Sequence, residues 1–215
     1  MSEQEEKTWN FDQWADNYDG WVTSDDPVYF RYDTILERVL LLSGAARGKR
    51  ILDIGTGTGN LAARLLDLGA EVVGLDPSQK MLDKAALKLE SRQGIELERS
   101  DEPFLKIPHA DGSFDAVVST YAFHHVHPDK KPACIRETMR VLKPGGTWVI
   151  GDLIFQSEED EKAAVEAHDW MEDEYFARID ELLPVFRDLG LMLKSEQYTM
   201  VTWVVWATLP SSDSG

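Results

Sequence analysis

Short apolar runs rich in β-branched residues alternate along the chain with longer stretches whose apolar residues recur every three or four positions. The runs at 50–54 (RILDI), 71–75 (EVVGL), 95–99 (IELER), 114–119 (FDAVVS), 146–151 (GTWVIG), 191–199 and 201–208 predict seven strands. Helices are predicted near 59–68, 78–91 and 129–142, the last carrying Ile135, Met139 and Leu142 on one face. Two more, near 10–21 and 29–44, precede the first strand, and another pair, near 158–170 and 175–189, separates the fifth strand from the sixth. Such alternation is the signature of βαβ units, and so of a parallel sheet covered on both faces. The last two strands follow one another almost directly, whereas a parallel crossover needs a dozen or more residues, so they pair antiparallel. The expected fold is α/β, a seven-stranded and mostly parallel sheet with an antiparallel last strand. Open sheets of this kind bind ligands outside the carboxyl ends of their strands, which places the chemistry in the turns after strands one to four.

Of the 215 residues, 43% are hydrophobic, enough to close a sizeable core and too many for a disordered chain. The longest apolar runs, 39–42 and 203–207, fall far short of the roughly 18 residues of a membrane span. No basic start followed by an apolar stretch resembles a signal peptide. The single cysteine, Cys134, can build neither an internal disulfide nor a thiolate metal site, which fits a reducing cytoplasm, and its helix-like context places it in the core. The net charge of −17 is unevenly spread. Residues 1–26 hold eight acids and one base, residues 155–188 hold twelve acids and three bases, and residues 27–154 balance at seventeen each. A nucleic-acid partner needs a basic face, and none is present.

The turn after the first strand reads Asp53, Ile54, Gly55, Thr56, Gly57, Thr58, Gly59, Asn60. Alternating glycines let a backbone approach a ligand closely, and the following helix offers free amides at its N-terminus. A phosphate-binding loop would end in Gly-Lys-Ser or Gly-Lys-Thr, and the nicotinamide fingerprint would need glycine where Asn60 stands. Asp53 would also repel a pyrophosphate and suits an ammonium group instead. Strand two ends at Asp76, followed by Pro77, placed for two ribose hydroxyls; strand three is followed by Asp101, placed to accept from an adenine amino group. Each carboxylate alone is as readily a helix cap or a solvated loop residue, but three at successive strand ends fit an adenosine with a cationic tail.

These motifs resemble the class I S-adenosylmethionine-dependent methyltransferases. ILDIGTGTG looks like their glycine loop, VVGLDPS their acidic ribose strand, Ser100-Asp101 their adenine corner, and VLKPGG (Val141 to Gly146) the turn before strand five. GTGTGNL, DPSQ, STYAFHHV and VVWATL are similar to stretches of small YrrT-like methyltransferases of Gram-positive bacteria. The resemblance implies a Rossmann-like domain over 1–209 with a helical cap (1–45), a cofactor-binding core (46–154), an inserted helical cap (155–190) and a final strand pair (191–209), then a flexible tail at 210–215. It implies S-adenosylmethionine as cofactor, held by Asp53, Gly55, Thr56, Gly57, Gly59, Asp76, Pro77, Asp101 and Glu102, with Ser119 and Thr120 along the methionine. Glu102 and Pro103 stand where many relatives carry a small or apolar residue on adenine. FDQWADNYDGWV (Phe11 to Val22) resembles the N-terminal helix that closes over the cofactor, and its FxxxAxxYD pattern puts Tyr18 toward it.

Methyl transfer from a sulfonium needs alignment and exclusion of water more than a protein nucleophile. A base is needed only when the acceptor must lose a proton, and the candidates are Tyr18, Tyr121, His124 and His125, with His124 first because it follows strand four and titrates near neutrality. No metal is expected, because the adjacent histidines of the His124, His125, His127 group should point apart. Trp14, Tyr18 and Trp21 fall at helical spacing, mostly a packing stripe, and Trp170, Tyr175 and Phe176 could meet it as a roof. The acceptor is expected to be a small molecule, neither nucleic acid nor membrane, and the acid in the two caps favours a cationic one. A nicotinamide oxidoreductase and a non-catalytic cofactor-binding module are the competing readings; the first lacks the third glycine and a Tyr-x-x-x-Lys pair.

Overall fold

The computed structural model describes residues 9–24, 28–167, 171 and 174–212. Strands β1 (Arg50–Ile54), β2 (Glu71–Asp76), β3 (Ile95–Arg99), β4 (Phe114–Thr120), β5 (Leu142–Phe155), β6 (Ala177–Arg178), β7 (Lys194–Gln197) and β8 (Thr202–Thr208) form one sheet. Its order is β3-β2-β1-β4-β5-β8-β7, with β6 paired to the far end of β5. β8 runs antiparallel to both β5 and β7, and the other pairs are parallel. The sequence-predicted antiparallel ending is therefore present, while the strand count rises from seven to eight. The extra strand, β6, is only two residues inside a span predicted to be helical, and its register against Ile154 and Phe155 is a long-range pairing that no local pattern reveals.

Helices α2 (Tyr32–Ser43), α3 (Asn60–Asp67), α4 (Gln79–Leu89), α5 (Lys131–Val141), α6 (Glu158–Ala167) and α7 (Ile179–Asp188) follow the predicted positions with shorter ends. Because strand side chains alternate, neighbouring residues feed two cores. Leu52, Ile54, Val73, Leu75 and Val117 pack with Ile135 of α5 and Phe186 of α7 on one face. Ile51, Val72, Ala116, Val118 and Val149 pack with Ile35 and Val39 of α2 and Leu65 of α3 on the other. Cys134 is buried in the first of these cores, where burial pushes its thiol up to about 12.

The N-terminal segment departs most from expectation. Instead of one helix over 10–21 it forms a 3-10 turn (Phe11–Gln13) and a single-turn helix α1 (Tyr18–Trp21). Asn10, Asp12, Asp16, Asn17 and Gly20 are poor helix formers, and the acids among them are engaged elsewhere in the structure. Tail residue Pro210 is pinned, its carbonyl accepting from the Gly145 amide at 3.0 Å. Trp170 lies outside the described residues. No helix among the described residues is long and apolar enough to cross a membrane.

Candidate active site

A cavity of about 1240 Å³ opens at the carboxyl ends of β1, β2 and β4. Its floor is the β1–α3 turn, where Gly55, Gly57 and Gly59 all take positive φ, at 71°, 55° and 83°. These three positions demand glycine because a Cβ opposes that backbone conformation. At Gly55 space demands it as well: an added Cβ would stand 2.3 Å from the Ala122 Cβ. At Gly57 the nearest atom would be 3.9 Å away, so the backbone there faces open room.

Asp76 ends β2 with both carboxylate oxygens anchored, Oδ2 accepting from the Gly57 amide and Oδ1 from the Ser78 amide, each at 2.8 Å. It is 5% exposed on the cavity wall, and burial raises its pKa to about 6. Asp53 sits deeper, 1% exposed and outside the cavity lining, accepting from the Thr56 hydroxyl at 2.8 Å. Burial, with Asp76 nearby, raises its pKa to about 7. Since the folded value of Asp53 exceeds the unfolded one near 3.8, the folded protein holds the proton more tightly between those values. Its contribution to stability therefore falls as pH rises through that window, by on the order of a few kcal/mol above pH 7. Asp53→Asn keeps an acceptor for Thr56 and removes the penalty. Thermal unfolding of the ligand-free variant should show a higher Tm than the parent at pH 8 and a much smaller difference at pH 5; a lower Tm at pH 8 contradicts this account.

The turn after β4 carries the second half of the site. Tyr121 adopts φ 51°, an unusual value for a bulky residue, and the chain then enters a short 3-10 turn, Phe123–His125. This geometry aims three successive amides, of Ala122, Phe123 and His124, at Asp152 Oδ2, at 3.1, 2.7 and 3.2 Å. Oδ1 accepts from the Leu153 amide at 2.7 Å and meets His124 Nδ1 at 2.5 Å. Asp152 is fully buried and His124 is 6% exposed. Burial alone would discharge both groups, but the contact dominates: His124 is raised and Asp152 is held below the usual carboxylate range. His125 lies beside His124, ring centroids 3.9 Å apart, so the expectation that the two point apart fails. Burial and the neighbouring His124 lower His125 to about 4. Glu174 reaches both rings, with Oε2 3.3 Å from His125 Nδ1 and 3.9 Å from His124 Nε2.

The N-terminal segment covers this floor. Trp9, Phe11 and Trp14 surround His125 at centroid distances of 4.6, 5.0 and 5.8 Å. Tyr18 meets Tyr29, which packs with Tyr32 and Tyr121. Tyr18 is half-buried among these rings, and the loss of solvent around its phenol raises its pKa well above 10, so it stays protonated. The segment's acids tie it down: Asp12 Oδ1 accepts from the Ser78 hydroxyl at 2.5 Å, Asp16 pairs with Lys84 at 3.0 Å, and Asp19 accepts from Thr58 at 2.5 Å and Lys88 at 2.8 Å.

A family model described as a methyltransferase domain matches residues 51–146, the stretch holding both the glycine loop and the His124 turn. An uncharacterized methyltransferase of Geobacillus kaustophilus (strain HTA426) is 34% identical over 206 residues, covering 92% of this chain and 94% of the relative. A crystal structure of a SAM dependent methyltransferase from Aquifex aeolicus superposes with a TM-score of 0.66 at 22% identity, over 91% of this chain and 98% of that one. The chain belongs to the class I S-adenosylmethionine-dependent methyltransferases. The same fold recurs in magnesium protoporphyrin IX methyltransferase from Synechocystis PCC 6803 with bound SAH, at TM-score 0.73 and 15% identity, covering 93% and 96% of the two chains. The cofactor of this methyltransferase is S-adenosylmethionine.

Of the sequence-predicted residues, Tyr18, Gly55, Gly57, Asp76, Pro77, Asp101, Glu102 and His124 all line the methyltransferase's cavity. Asp53, Thr56, Gly59, Ser119 and Thr120 do not line it. Ser119 is fully buried with its hydroxyl unpartnered among the described residues, and the cavity wall begins at Tyr121 because the left-handed turn there, not the strand end, faces the opening. Asp101 is exposed and paired with Arg99 at 3.0 Å. Tyr175 meets Trp9 and His127 edge-on, whereas Phe176 packs on Phe155 in the core and forms no roof. Trp14, Tyr18 and Trp21 do not share one helical stripe, since the helix is broken. Asp152 and Glu174 escaped the sequence reading. An acid inside the apolar run WVIGDLIF was a usable signal for Asp152; Glu174, within an acidic stretch, carried none.

Proposed function

We propose that this methyltransferase methylates a small molecule bound between the glycine loop and the aromatic N-terminal cover, with His124 taking the proton the acceptor loses. The observation that carries the proposal is His124, backed by the fully buried Asp152, on the wall of the same cavity as Gly55, Gly57 and Asp76. When bound, S-adenosylmethionine supplies an activated methyl group, so the chain needs no nucleophile of its own. Asp76 would hold the ribose hydroxyls, because each of its oxygens keeps an acceptor site beyond the backbone amide it already takes. The backbone of Gly55 and Gly57 would lie against the remainder, and Asp101 would meet the adenine edge. Asp152 fixes the tautomer of His124 by occupying Nδ1, leaving Nε2 toward the cavity as a proton acceptor. Tyr18, kept protonated, would act as a hydrogen-bond donor to the reacting pair. The aromatic cover would exclude water.

The acceptor class follows from the charges that remain uncompensated. Asp16 and Asp19 of the N-terminal cap, and Glu158 and Glu161 of α6, are paired with lysines or Arg178, so the cap surplus overstates the field. Within the cavity lining, Arg99 is paired with Asp101 and Lys130 with Glu102, while Asp12, Asp76 and Glu174 face it without a basic partner of their own among the described residues, His124 and His125 aside. That balance favours an amine or other cation. A screen of matched amine, neutral and carboxylate acceptors at low and high salt should give the fastest production of S-adenosylhomocysteine with the amine, slowing as salt rises. A best acceptor that is anionic, or salt-independent amine turnover, removes the steering role. Normal cofactor binding without turnover on any acceptor supports a non-catalytic module instead.

A further inference from the structure

We propose that His124, His125 and Glu174 form a binding site for one first-row divalent transition-metal ion of the zinc class. Each residue offers one donor atom, and the three atoms lie within 4.8 Å of one another. His125 Nδ1 and Glu174 Oε2 are 3.3 Å apart, and His124 Nε2 is 3.9 Å from the same oxygen. Donors about 2.0–2.1 Å from a tetrahedral zinc are separated by about 3.4 Å, so the His125–Glu174 edge already fits, the His124–Glu174 edge must shorten by about half an ångström, and the two imidazoles must close around the ion.

Two independent observations point to a ligand. Among the described residues, His125 Nδ1 and Glu174 Oε2 are both buried and both without a hydrogen-bond partner, although they face each other. A ring nitrogen and a carboxylate oxygen 3.3 Å apart but out of line for a hydrogen bond can both turn a lone pair toward a cation. Secondly, each donor is already held from behind. Asp152 takes the Nδ1 side of His124, the carboxylate–histidine arrangement that orients metal-binding imidazoles. Trp9, Phe11 and Trp14 enclose the His125 ring. Buried Lys131 donates to the carbonyl of Tyr175 at 2.6 Å, fixing the backbone next to Glu174. Two imidazoles and a carboxylate suit zinc, cobalt or nickel over magnesium or calcium, which prefer oxygen donors. Three protein donors leave a fourth position, and all three residues line the cavity, so that position opens toward the acceptor.

The site stands whether or not His124 serves as a base. Its occupation takes the same Nε2 lone pair, so metal binding and proton acceptance by His124 exclude each other. The test uses tag-free, chelator-treated, full-length protein without acceptor or cofactor. Zn²⁺ titration by calorimetry should give one saturable equivalent, and Co²⁺ should give the intense visible absorption of a four-coordinate site. His125→Ala and Glu174→Gln should each weaken Zn²⁺ binding by at least about 100-fold with unchanged circular dichroism, while His127→Ala leaves it intact. Should either variant misfold, the other decides. Non-stoichiometric Zn²⁺ uptake that both variants retain would overturn the site, and methyl transfer in chelator-treated protein would separate that outcome from failure of the proposed base.

Discussion

Replacing His124 with alanine in metal-free protein lowers methyl transfer by about 10²–10⁴-fold, the usual worth of a positioned acid or base. The dissociation constant for S-adenosylmethionine should stay within a few-fold of the parent value. The reason is location: His124 belongs to the β4 turn with its Nδ1 engaged by Asp152, and the role proposed for its other nitrogen begins only when an acceptor is bound. Asp76→Ala should show the converse, weakening cofactor binding by about 3 kcal/mol, on the order of 100-fold, because a charge-assisted contact to two hydroxyls is lost. The Gly57 and Ser78 amides lose their acceptor in the same variant, so Asp76→Asn serves as the control that keeps one. Calorimetry and turnover on both variants make the comparison. Equal loss of affinity and turnover in His124→Ala would reduce that residue to a structural one, and an unchanged dissociation constant in Asp76→Ala would misplace the ribose.

Gly55→Ala should abolish cofactor binding and lower the stability of the ligand-free protein by several kcal/mol, whereas Gly57→Ala should abolish binding at the smaller stability cost of its positive φ alone, about 1–2 kcal/mol. Both residues hold positive φ, a conformation that costs a residue with a Cβ roughly 1–2 kcal/mol. They differ in what the new atom meets. At Gly55 it would stand 2.3 Å from the Ala122 methyl, a separation that real contacts do not reach, and the β4 turn would have to move. At Gly57 it would meet nothing closer than 3.9 Å and project beside the cavity, where the cofactor is proposed to lie. Thermal unfolding and S-adenosylhomocysteine titration of the two variants decide the matter. Equal Tm losses would mean that the Gly55–Ala122 contact does not lock the two turns, and retained affinity in Gly57→Ala would place the cofactor elsewhere.

What could be read from the chain was what local chemistry controls. β1, β2, β4 and the glycine turn are dictated by short-range pattern, and the antiparallel ending by a connection too short for a crossover. Asp76 and His124 were singled out by their positions after a strand, and both line the cavity. The failures share a cause, dependence on partners far along the chain. The 10–21 segment reads as an amphipathic helix, but Asp12 and Asp19 are engaged by Ser78, Thr58 and Lys88, and the backbone bends to reach them. Ser119 and Thr120, which the resemblance sets along the methionine, do not line the cavity, whose wall on this side begins at the left-handed Tyr121. The meeting of Glu174 with the two histidines needs β6 and Lys131 to bring a distant segment back, which no periodicity announces.

The tight packing of Gly55 against Ala122 has a consequence for how such an enzyme can change. The spacing between the glycine loop and the His124 turn is set at its closest point by the Gly55 backbone and the Ala122 methyl group, neither of which has a rotamer to adjust. The wall from Trp9 to Trp14 is tied to the sheet through side chains such as Asp12, whereas the Glu174 segment is anchored by the β6 pairing and by Lys131 on the Tyr175 carbonyl. Selection for a new acceptor can therefore rewrite the cover while the reacting distance stays constant. Diversification of substrate is thereby uncoupled from preservation of the chemical step.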